Sequence, residues 1–138
     1  MTERRTQASR RADTQAAVLA SATKLFGSKG FANTSLEDIA KDCDISIAPI
    51  YHYFGNKKKL FMAVNEAMEA RIVAESELAS DGDRLQVGWQ TFSDLCQDPN
   101  FRKIVLVDGP NVLGRERMHQ SKVTEWALDR MRKRFNAQ

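Results

Sequence analysis

The segment 34–60 constrains the fold most strongly, because it encodes two short helices separated by a tight turn. Ser35 followed by Asp38 three residues later is close to a capping box, which predicts that the first helix begins at Ser35. Three apolar residues then share the i, i+3, i+4 spacing of one helical face: Leu36, Ile39 and Ala40. This face is expected to pack against a helical core.

The residues after the turn predict the second helix. Asp44 lies where the chain must reverse, and aspartate tolerates the left-handed backbone conformation better than most residues do. Ser46 is a good N-cap, and Pro49 fits the first helical turn, where its missing N–H is not needed. Ile50 and Phe54 are expected to pack inward. The other side chains of this helix are expected to face outward: Ser46, Ile47, Ala48, Tyr51 and His52.

Two short helices around a tight turn, the second with an exposed N-terminal end, have the layout of a DNA-binding helix-turn-helix. A preceding helix from Thr14 to about Ser28, capped by Asp13 and ended at Gly30, is predicted to complete a three-helix core. A long helix should follow from Lys57 to about Ala79. The apolar sides of these two helices are expected to be buried: Val18, Ala22, Leu25 and Phe26 in the first, and Leu60, Phe61, Val64, Ala67, Met68 and Ile72 in the second.

The composition supports an all-α fold, since the 138 residues include only 3 prolines and 7 glycines. No run approaches the ~20 apolar residues that cross a bilayer, so no membrane partner is expected. The basic N-terminus lacks the apolar region of a signal peptide. Cys43 and Cys96 are too few and too far apart for a disulfide framework or a zinc site. They suit a reducing compartment, and a cytoplasmic location is predicted.

The charge is divided unevenly along the chain. Residues 1–61 carry 10 Lys/Arg against 6 Asp/Glu, whereas residues 62–138 carry 11 against 12, which gives +4 and −1. The basic excess lies with the helix-turn-helix, as expected for a DNA-facing end. Residues 1–12 hold four arginines and almost no apolar residue, so a flexible basic arm is predicted. Two interpretations of this arm stay open: a disordered tail that aids solubility, or an arm against phosphates or in a minor groove.

The same residues resemble the DNA-binding region of TetR-type transcriptional regulators. The matching positions run from about Asp13 to Val64 and are dense: Ala22–Phe26, Gly30–Phe31, Thr34–Ser35, Ile39–Ala40, Ile45–Ser46, Ile50–Phe54, Lys57 and Leu60–Phe61. The resemblance implies a helix-turn-helix domain over residues 13–61, joined by the long helix to a shortened helical regulatory domain over residues 62–138. Asp44 stands where the family favours glycine.

The regulatory part is predicted to contain helices over 84–97, 101–107 and 112–135, separated by breaks at 98–100 and 108–111. By resemblance it would hold a pocket for a small apolar effector. Five large apolar residues are able to line such a pocket, although a plain core role is the better supported interpretation of them: Trp89, Phe92, Phe101, Met118 and Trp126. No cofactor or metal site is expected.

The DNA contacts are predicted from the helix-turn-helix geometry, in which the start of the second helix meets the base edges. Tyr51 and His52 are the best hydrogen-bonding candidates, and Ile47 is suited to a thymine methyl group. Lys57 corresponds to a lysine that the family places on the DNA backbone. The predicted DNA-binding residues are Thr34, Ser35, Ser46, Ile47, Ala48, Pro49, Tyr51, His52 and Lys57. The competing interpretations are a core aromatic for Tyr51, a plain surface residue for His52 and a solvated lysine run at 57–59.

Two hypotheses for the function follow. The first is a transcriptional regulator, most simply a ligand-responsive repressor that binds a palindromic operator as a homodimer. The second is a truncated helical interaction module that pairs with other regulators and does not bind DNA alone. The second is favoured by the family's dimer interface, which uses two further long helices that this chain, ending at Gln138, is expected to lack. An enzyme is not expected, because no catalytic constellation accompanies the two histidines.

Overall fold

The protein is all-α throughout the residues that its computed structural model describes, which are 6–119 and 121–136. Short connections join the helices, and the helical run from Pro99 to His119 contains a wide π-helical turn. In chain order they are α1 (Gln7–Lys29), α2 (Leu36–Asp42), α3 (Ala48–Phe54), α4 (Lys57–Glu77), α5 (Arg84–Leu95), α6 (Pro99–Phe101), the π segment (Arg102–Asp108), α7 (Gly109–His119) and α8 (Lys122–Asn136). None of the described helices is long and apolar enough to cross a membrane.

The first three helices and the start of α4 share one apolar core. Its centre is a group of aromatic rings, with Phe26 and Phe61 in edge-to-face contact at 5.2 Å between centroids and Phe31 within 6 Å of both. The fully buried residues around them include most of the predicted ones: Val18, Ala22, Ile39, Ile50, Leu60 and Val64. The predicted three-helix core is confirmed, with Leu25 partly buried against it. On α4 the predicted burial is wrong for Ala67, which is exposed, and Met68 is only partly buried.

The first helix is longer than predicted. It begins at Gln7, and Thr6 caps it by accepting a 3.1 Å hydrogen bond from the N–H of Ser9. The predicted start at Thr14 is therefore wrong, and residues 7–12 are helical where a flexible arm was expected. Residues 1–5 of the predicted arm lie outside the described residues. The extension has no buried side chain before Val18, so no apolar periodicity could signal it.

The turn between α2 and α3 forms largely as the sequence indicates. Asp44 has the left-handed φ of 54°, as predicted. Ser46, however, does not cap α3, whose N-cap is Ile47 without any side-chain cap bond. The N–H three residues after Ser46 would belong to Pro49, which has none to donate. The cap predicted at Ser46 is therefore wrong, and α3 starts one residue later than that cap would place it.

The long helix α4 belongs to both halves of the molecule. Its first turns complete the helix-turn-helix core, and its later part packs against α5, α7 and α8. Gly88 of α5 lies so close to α4 that an added Cβ would be 2.7 Å from Ser76 Oγ. The predicted end at Ala79 is two residues beyond the observed end at Glu77.

The break predicted at 108–111 is wrong, because the helical run that starts at Pro99 continues through the π segment into α7. In the wide turn the N–H of Gly109 donates to the carbonyl of Ile104, five residues back. Pro110 follows directly, and a proline has no N–H for the usual bond to a carbonyl four residues back. The π turn therefore accommodates Pro110 without ending the helix.

The single helix predicted over 112–135 is also wrong. The backbone turns sharply at Gly114, with φ 78° and ψ 167°, and α8 begins only at Lys122. On α8, Met131 and Phe135 were expected to be buried, but Phe135 is 75% exposed and Met131 is also exposed. The helix is held instead by polar contacts to Glu77, whose carboxylate accepts hydrogen bonds from the Trp126 indole N–H and from Arg130 at 2.7 Å.

Candidate nucleic-acid interface

A surface cleft of about 400 Å³ lies between the start of α2 and the turn that joins α3 to α4. We call it the α2–α4 cleft. It brings together four of the predicted DNA-binding residues from separate elements: Thr34, Ser35, Tyr51 and Lys57. Thr34 and Lys57, which are 23 positions apart in the chain, therefore line the same cleft. The chain turns back after α3, and Gly55, with φ 91°, allows this sharp turn.

The capping box of α2 forms the floor of this cleft. The hydroxyl oxygen of Ser35 accepts the N–H of Asp38 at 3.0 Å, and the Asp38 carboxylate accepts the N–H of Ser35 at 3.0 Å. The hydrogen bonds from the backbone N–H and then the hydroxyl of Ser35 lower the pKa of Asp38. The predicted capping box is confirmed, and it fixes the Ser35 hydroxyl at a helix N-terminus, where backbone N–H groups favour anions.

Thr34 occupies the same cleft but turns its side chain into the protein. The residue is only 1% exposed, and its hydroxyl donates toward the carbonyls of Gly30 at 2.8 Å and Leu25 at 3.1 Å. A phosphate contact through this hydroxyl does not fit the geometry. Thr34 instead ties the start of α2 to the end of α1, and so positions Ser35.

Lys57 lies at the rim of the cleft, at the first position of α4. Its Nζ is 4.2 Å from the centroid of the Phe31 ring, a cation–π contact that limits where the ammonium can go. Asn56 caps the helix by accepting the N–H of Lys59 at 2.8 Å. The charges of Lys58 and Lys59 lie on the exposed side of the same turn. The lysine run is thus a basic rim next to a helix N-terminus, in which the Phe31 ring holds the Lys57 ammonium.

The outer face of α3 carries most of the other predicted contacts. His52, Ser46 and Ala48 are exposed, Tyr51 is 49% exposed at the edge of the α2–α4 cleft, and Pro49 is half-buried. Ile47 differs from the prediction, because it is half-buried and packs on the hydrophobic core. Only part of its side chain therefore remains at the surface.

A polar contact that was not predicted from the sequence joins α2 to α1. The Asp42 carboxylate accepts hydrogen bonds of 2.7 Å from Lys24 Nζ and from the Ser21 hydroxyl. The Lys24 bond, followed by the Ser21 bond, lowers the pKa of Asp42. No local sequence pattern indicates this contact, because Lys24 and Ser21 lie 18 and 21 positions from Asp42 and meet it only after the helices pack.

A second cavity, of about 230 Å³ with a mainly apolar lining, lies where α4 meets the π segment and α7. Of the residues proposed from the sequence, Phe92 and Phe101 line it. Trp89 does not line it and is 69% exposed, and Trp126 lies against Gly88 instead. The side chain of Met118 lies outside the part of the chain that the structure describes. Residues that the sequence did not single out complete the wall: Asn65, Glu69 and Ile72 of α4, Val105 and Leu106 of the π segment, and Gly109, Pro110 and Leu113 of α7, with Ser121, Val123 and Thr124.

The π segment connects this cavity to the helix-turn-helix. Val105 and Leu106 line the cavity, and two residues later Asp108 Oδ2 accepts the backbone N–H of Phe31 at 2.9 Å. Lys103 holds the other oxygen of Asp108 at 3.4 Å. Phe31 is the residue whose ring supports Lys57. A short path of direct contacts therefore runs from the cavity wall to the basic rim of the α2–α4 cleft.

Residues 18–64 match the protein family described as bacterial regulatory proteins of the tetR family. The fold matches the crystal structure of a TetR-family transcriptional regulator from Pectobacterium atrosepticum with a TM-score of 0.58 and 32% identity, over 79% of this chain and 58% of that one. Residues 18–64 of this chain are thus similar to the DNA-binding region of the TetR family. The family resemblance and the all-α architecture predicted from the sequence are both confirmed.

Two curated helix-turn-helix transcriptional regulators illustrate the extent of the similarity. The probable transcriptional regulator YttP of Bacillus subtilis is 40% identical over 92 residues, which are 63% of this chain and 44% of YttP. The transcriptional repressor Rv3405c of Mycobacterium tuberculosis is 33% identical over 82 residues, which are 58% of this chain and 44% of the repressor. The chain thus spans less than half of the length of these relatives. They are named as regulators and not as enzymes, in agreement with the sequence analysis.

Proposed function

We propose that the protein is a sequence-specific DNA-binding regulator of transcription, most simply a repressor. The observation that carries this proposal is the α2–α4 cleft beside the exposed face of α3, which combines a phosphate site with a helix able to enter a major groove. The match of residues 18–64 to the TetR family and the repressor named among the relatives support it.

In the proposed complex the cleft holds the DNA backbone while α3 reads the bases. The phosphates of one strand are contacted by Ser35 at the N-terminus of α2, by Tyr51 and by Lys57. Thr34 makes no contact of its own with the DNA, but it holds Ser35 in place. The carboxylates of Glu37 and Asp38 also line the cleft, so the phosphate approaches from the Lys57 side. Ser46, Ala48 and Pro49 lie at the start of α3, nearest the base edges, and His52 follows one turn later.

The proposed operator is palindromic and the proposed active species is a homodimer. The recognition helix has 7 residues, and at about 1.5 Å per residue it spans roughly 10 Å, or about three base pairs. So short a site recurs too often to define one promoter. Two copies on half-sites about one helical turn apart would double the length that is read. The cytoplasm of a bacterium, where its DNA lies, is the proposed location.

We further propose that a small, mainly apolar effector occupies the cavity of the regulatory part. Its wall contains the π segment, whose Asp108 holds Phe31, and it contains α4, whose first residue is Lys57. An effector that moves the π segment would therefore change the position of the phosphate site and alter the affinity for DNA. Such a ligand shifts the equilibrium only as far as its affinities for the two arrangements differ.

Selection of duplexes from a random library on the purified chain, followed by fluorescence anisotropy with the selected sequence, tests the proposal. A regulator should select a two-fold symmetric sequence and bind it at least about a thousandfold more tightly than unrelated duplex. Sedimentation of the same samples gives the stoichiometry, which should be two chains per duplex. A folded chain that selects no sequence would contradict this function and favour the interaction module.

A further inference from the structure

We propose that the N-terminal extension of α1 forms a second DNA-backbone site, on the side of α3 opposite the α2–α4 cleft. Arg10 and Arg11 supply its charge and Tyr53 of α3 forms its wall. This inference rests on the proposed DNA-binding function and assigns the extension a role that the core of the domain does not require.

The extension has no role in the hydrophobic core. Eleven residues of α1 precede Val18, and none of them before Thr14 is even half-buried. Helices gain most of their stability from packing an apolar face, and this part of α1 has none. It nevertheless has a side-chain N-cap from Thr6 and a 2.9 Å bond from the Thr14 hydroxyl to the carbonyl of Arg10. The two arginines are thus displayed on a helix.

The extension lies against the recognition helix. A surface cleft of about 290 Å³ is lined by Gln7, Arg10, Arg11 and Thr14 from α1 and by Tyr53 from α3. We call it the α1–α3 cleft. Tyr53 is half-buried, and its ring is 5.2 Å from the exposed ring of His52. The arginines therefore border the same surface of α3 that is proposed to face DNA.

The order of residues on α3 places the two clefts on opposite sides of the recognition face. Successive residues of an α-helix are rotated by about 100°, so Tyr51 and Tyr53 lie about 100° to either side of His52. Tyr51 borders the α2–α4 cleft and Tyr53 borders the α1–α3 cleft. Ile50 and Phe54, which face the core, lie opposite His52. His52 thus points outward between two clefts with basic residues.

A major groove has the same arrangement of charge, with base edges on its floor and a phosphate strand on each side. With α3 in the groove and His52 toward the floor, Lys57 meets one strand and the arginines of the α1–α3 cleft meet the other. Arginine suits this role because its planar guanidinium donates two parallel hydrogen bonds to a phosphate. The Tyr53 hydroxyl is a further donor in reach of the same strand.

The salt dependence of DNA binding tests this inference. The logarithm of the binding constant falls with the logarithm of the salt concentration by about 0.9 per phosphate contacted. Wild type and Arg10→Ala/Arg11→Ala should be titrated by anisotropy against a labelled duplex carrying the selected sequence, at several salt concentrations. We expect the double variant to lose about 1.8 from the slope for each chain bound to the duplex, and Arg10→Lys/Arg11→Lys to keep most of the slope. Alanine is a better helix former than arginine, so the extension itself should persist.

The matched control is Arg132→Ala/Arg134→Ala, which removes the same charge from exposed positions on α8. Its slope should equal that of wild type. If both double variants lose the same amount, or neither loses any, the second backbone site is refuted while DNA binding by the chain stands. If the wild-type chain binds no duplex, the proposed function fails, and the second site fails with it.

Discussion

Replacing Thr34 by valine separates a structural role of this residue from a DNA contact. Valine has nearly the same shape as threonine but lacks the hydroxyl, which lies 2.8 Å from the Gly30 carbonyl oxygen. The other acceptor, the Leu25 carbonyl, lies within α1 and takes part in the hydrogen bonding of that helix. The Gly30 carbonyl follows the last helical residue, so it is the group that loses its donor.

The size of the effect follows from burial. A buried carbonyl left without a donor costs about 1–3 kcal/mol, and at 1% exposure of Thr34 little water can replace the hydroxyl. For a chain of this length, 1 kcal/mol corresponds to roughly 3–4 °C in Tm, so Thr34→Val should melt roughly 3–12 °C below wild type. Its affinity for DNA, measured well below both melting temperatures, should change by less than about threefold, because the lost hydroxyl does not face the cleft.

Calorimetry or circular dichroism gives the melting temperatures, and anisotropy gives the affinity. Thr34→Ser and Thr34→Ala provide a matched pair in which the hydroxyl is removed without the methyl group. The loss of Tm between those two should resemble the loss between wild type and Thr34→Val. A Thr34→Val chain that melts like wild type but binds DNA more than tenfold more weakly would refute the argument and restore Thr34 as a contact.

Three further predictions concern single charges. Replacing Lys57 by alanine should reduce the salt slope of DNA binding by about 0.9 for each bound chain, whereas Lys122→Ala on α8 should leave it unchanged; equal slopes for the two variants would contradict the basic rim. The lowered pKa of Asp42 means that its contribution to stability is present above the pKa of an unfolded aspartate, ~3.9, and is lost as the pH falls through the lower folded value. The free energy of unfolding, measured with urea, should therefore fall less steeply below about pH 4 in Asp42→Asn than in wild type, and parallel curves would show that Asp42 is not coupled to folding. Replacing Asp108 by alanine should speed hydrogen exchange of the Phe31 amide by about tenfold or more, with Asp98→Ala as the control; unchanged exchange would rule out the proposed path from the cavity.

The helix-turn-helix could be predicted from the sequence because its signals are local. The capping box at Ser35, the left-handed Asp44 and the stripe containing Val18 and Phe26 each act within one or two helical turns, and each is observed. The direction of the Thr34 side chain could not be predicted, because it depends on a carbonyl that the end of α1 leaves beside it. The same holds for Asp42, whose partners approach it only after α1 and α2 pack.

The part of the chain after α4 was predicted less well, because its helical run from Pro99 to His119 departs from regular α-helical geometry at the π segment and at Gly114. Pro110 and Gly109 are ordinary signals for a break, yet the π turn carries the helix through both. Met131 and Phe135 have the spacing of a buried face, but no described element covers them. The cavity of about 230 Å³ could not be predicted either, since much of its wall comes from residues such as Asn65 and Gly109 that no sequence pattern marks.

The π segment also limits how the length of this chain can change. A π turn contains one residue more than an α turn at the same point of a helix. Deleting one residue between Arg102 and Asp108 would let the turn close as an α-helix, with its backbone hydrogen bonds intact and its local stability retained. The residues on either side of the deletion would keep nearly the same relative rotation, because the π turn and the α turn that replaces it each complete one revolution. A deletion in the α-helical turns of α7 would instead rotate the residues beyond it by about 100°. Asp108 and the cavity wall could then no longer both keep their partners, so the two halves of the protein tolerate a one-residue deletion best within the π segment.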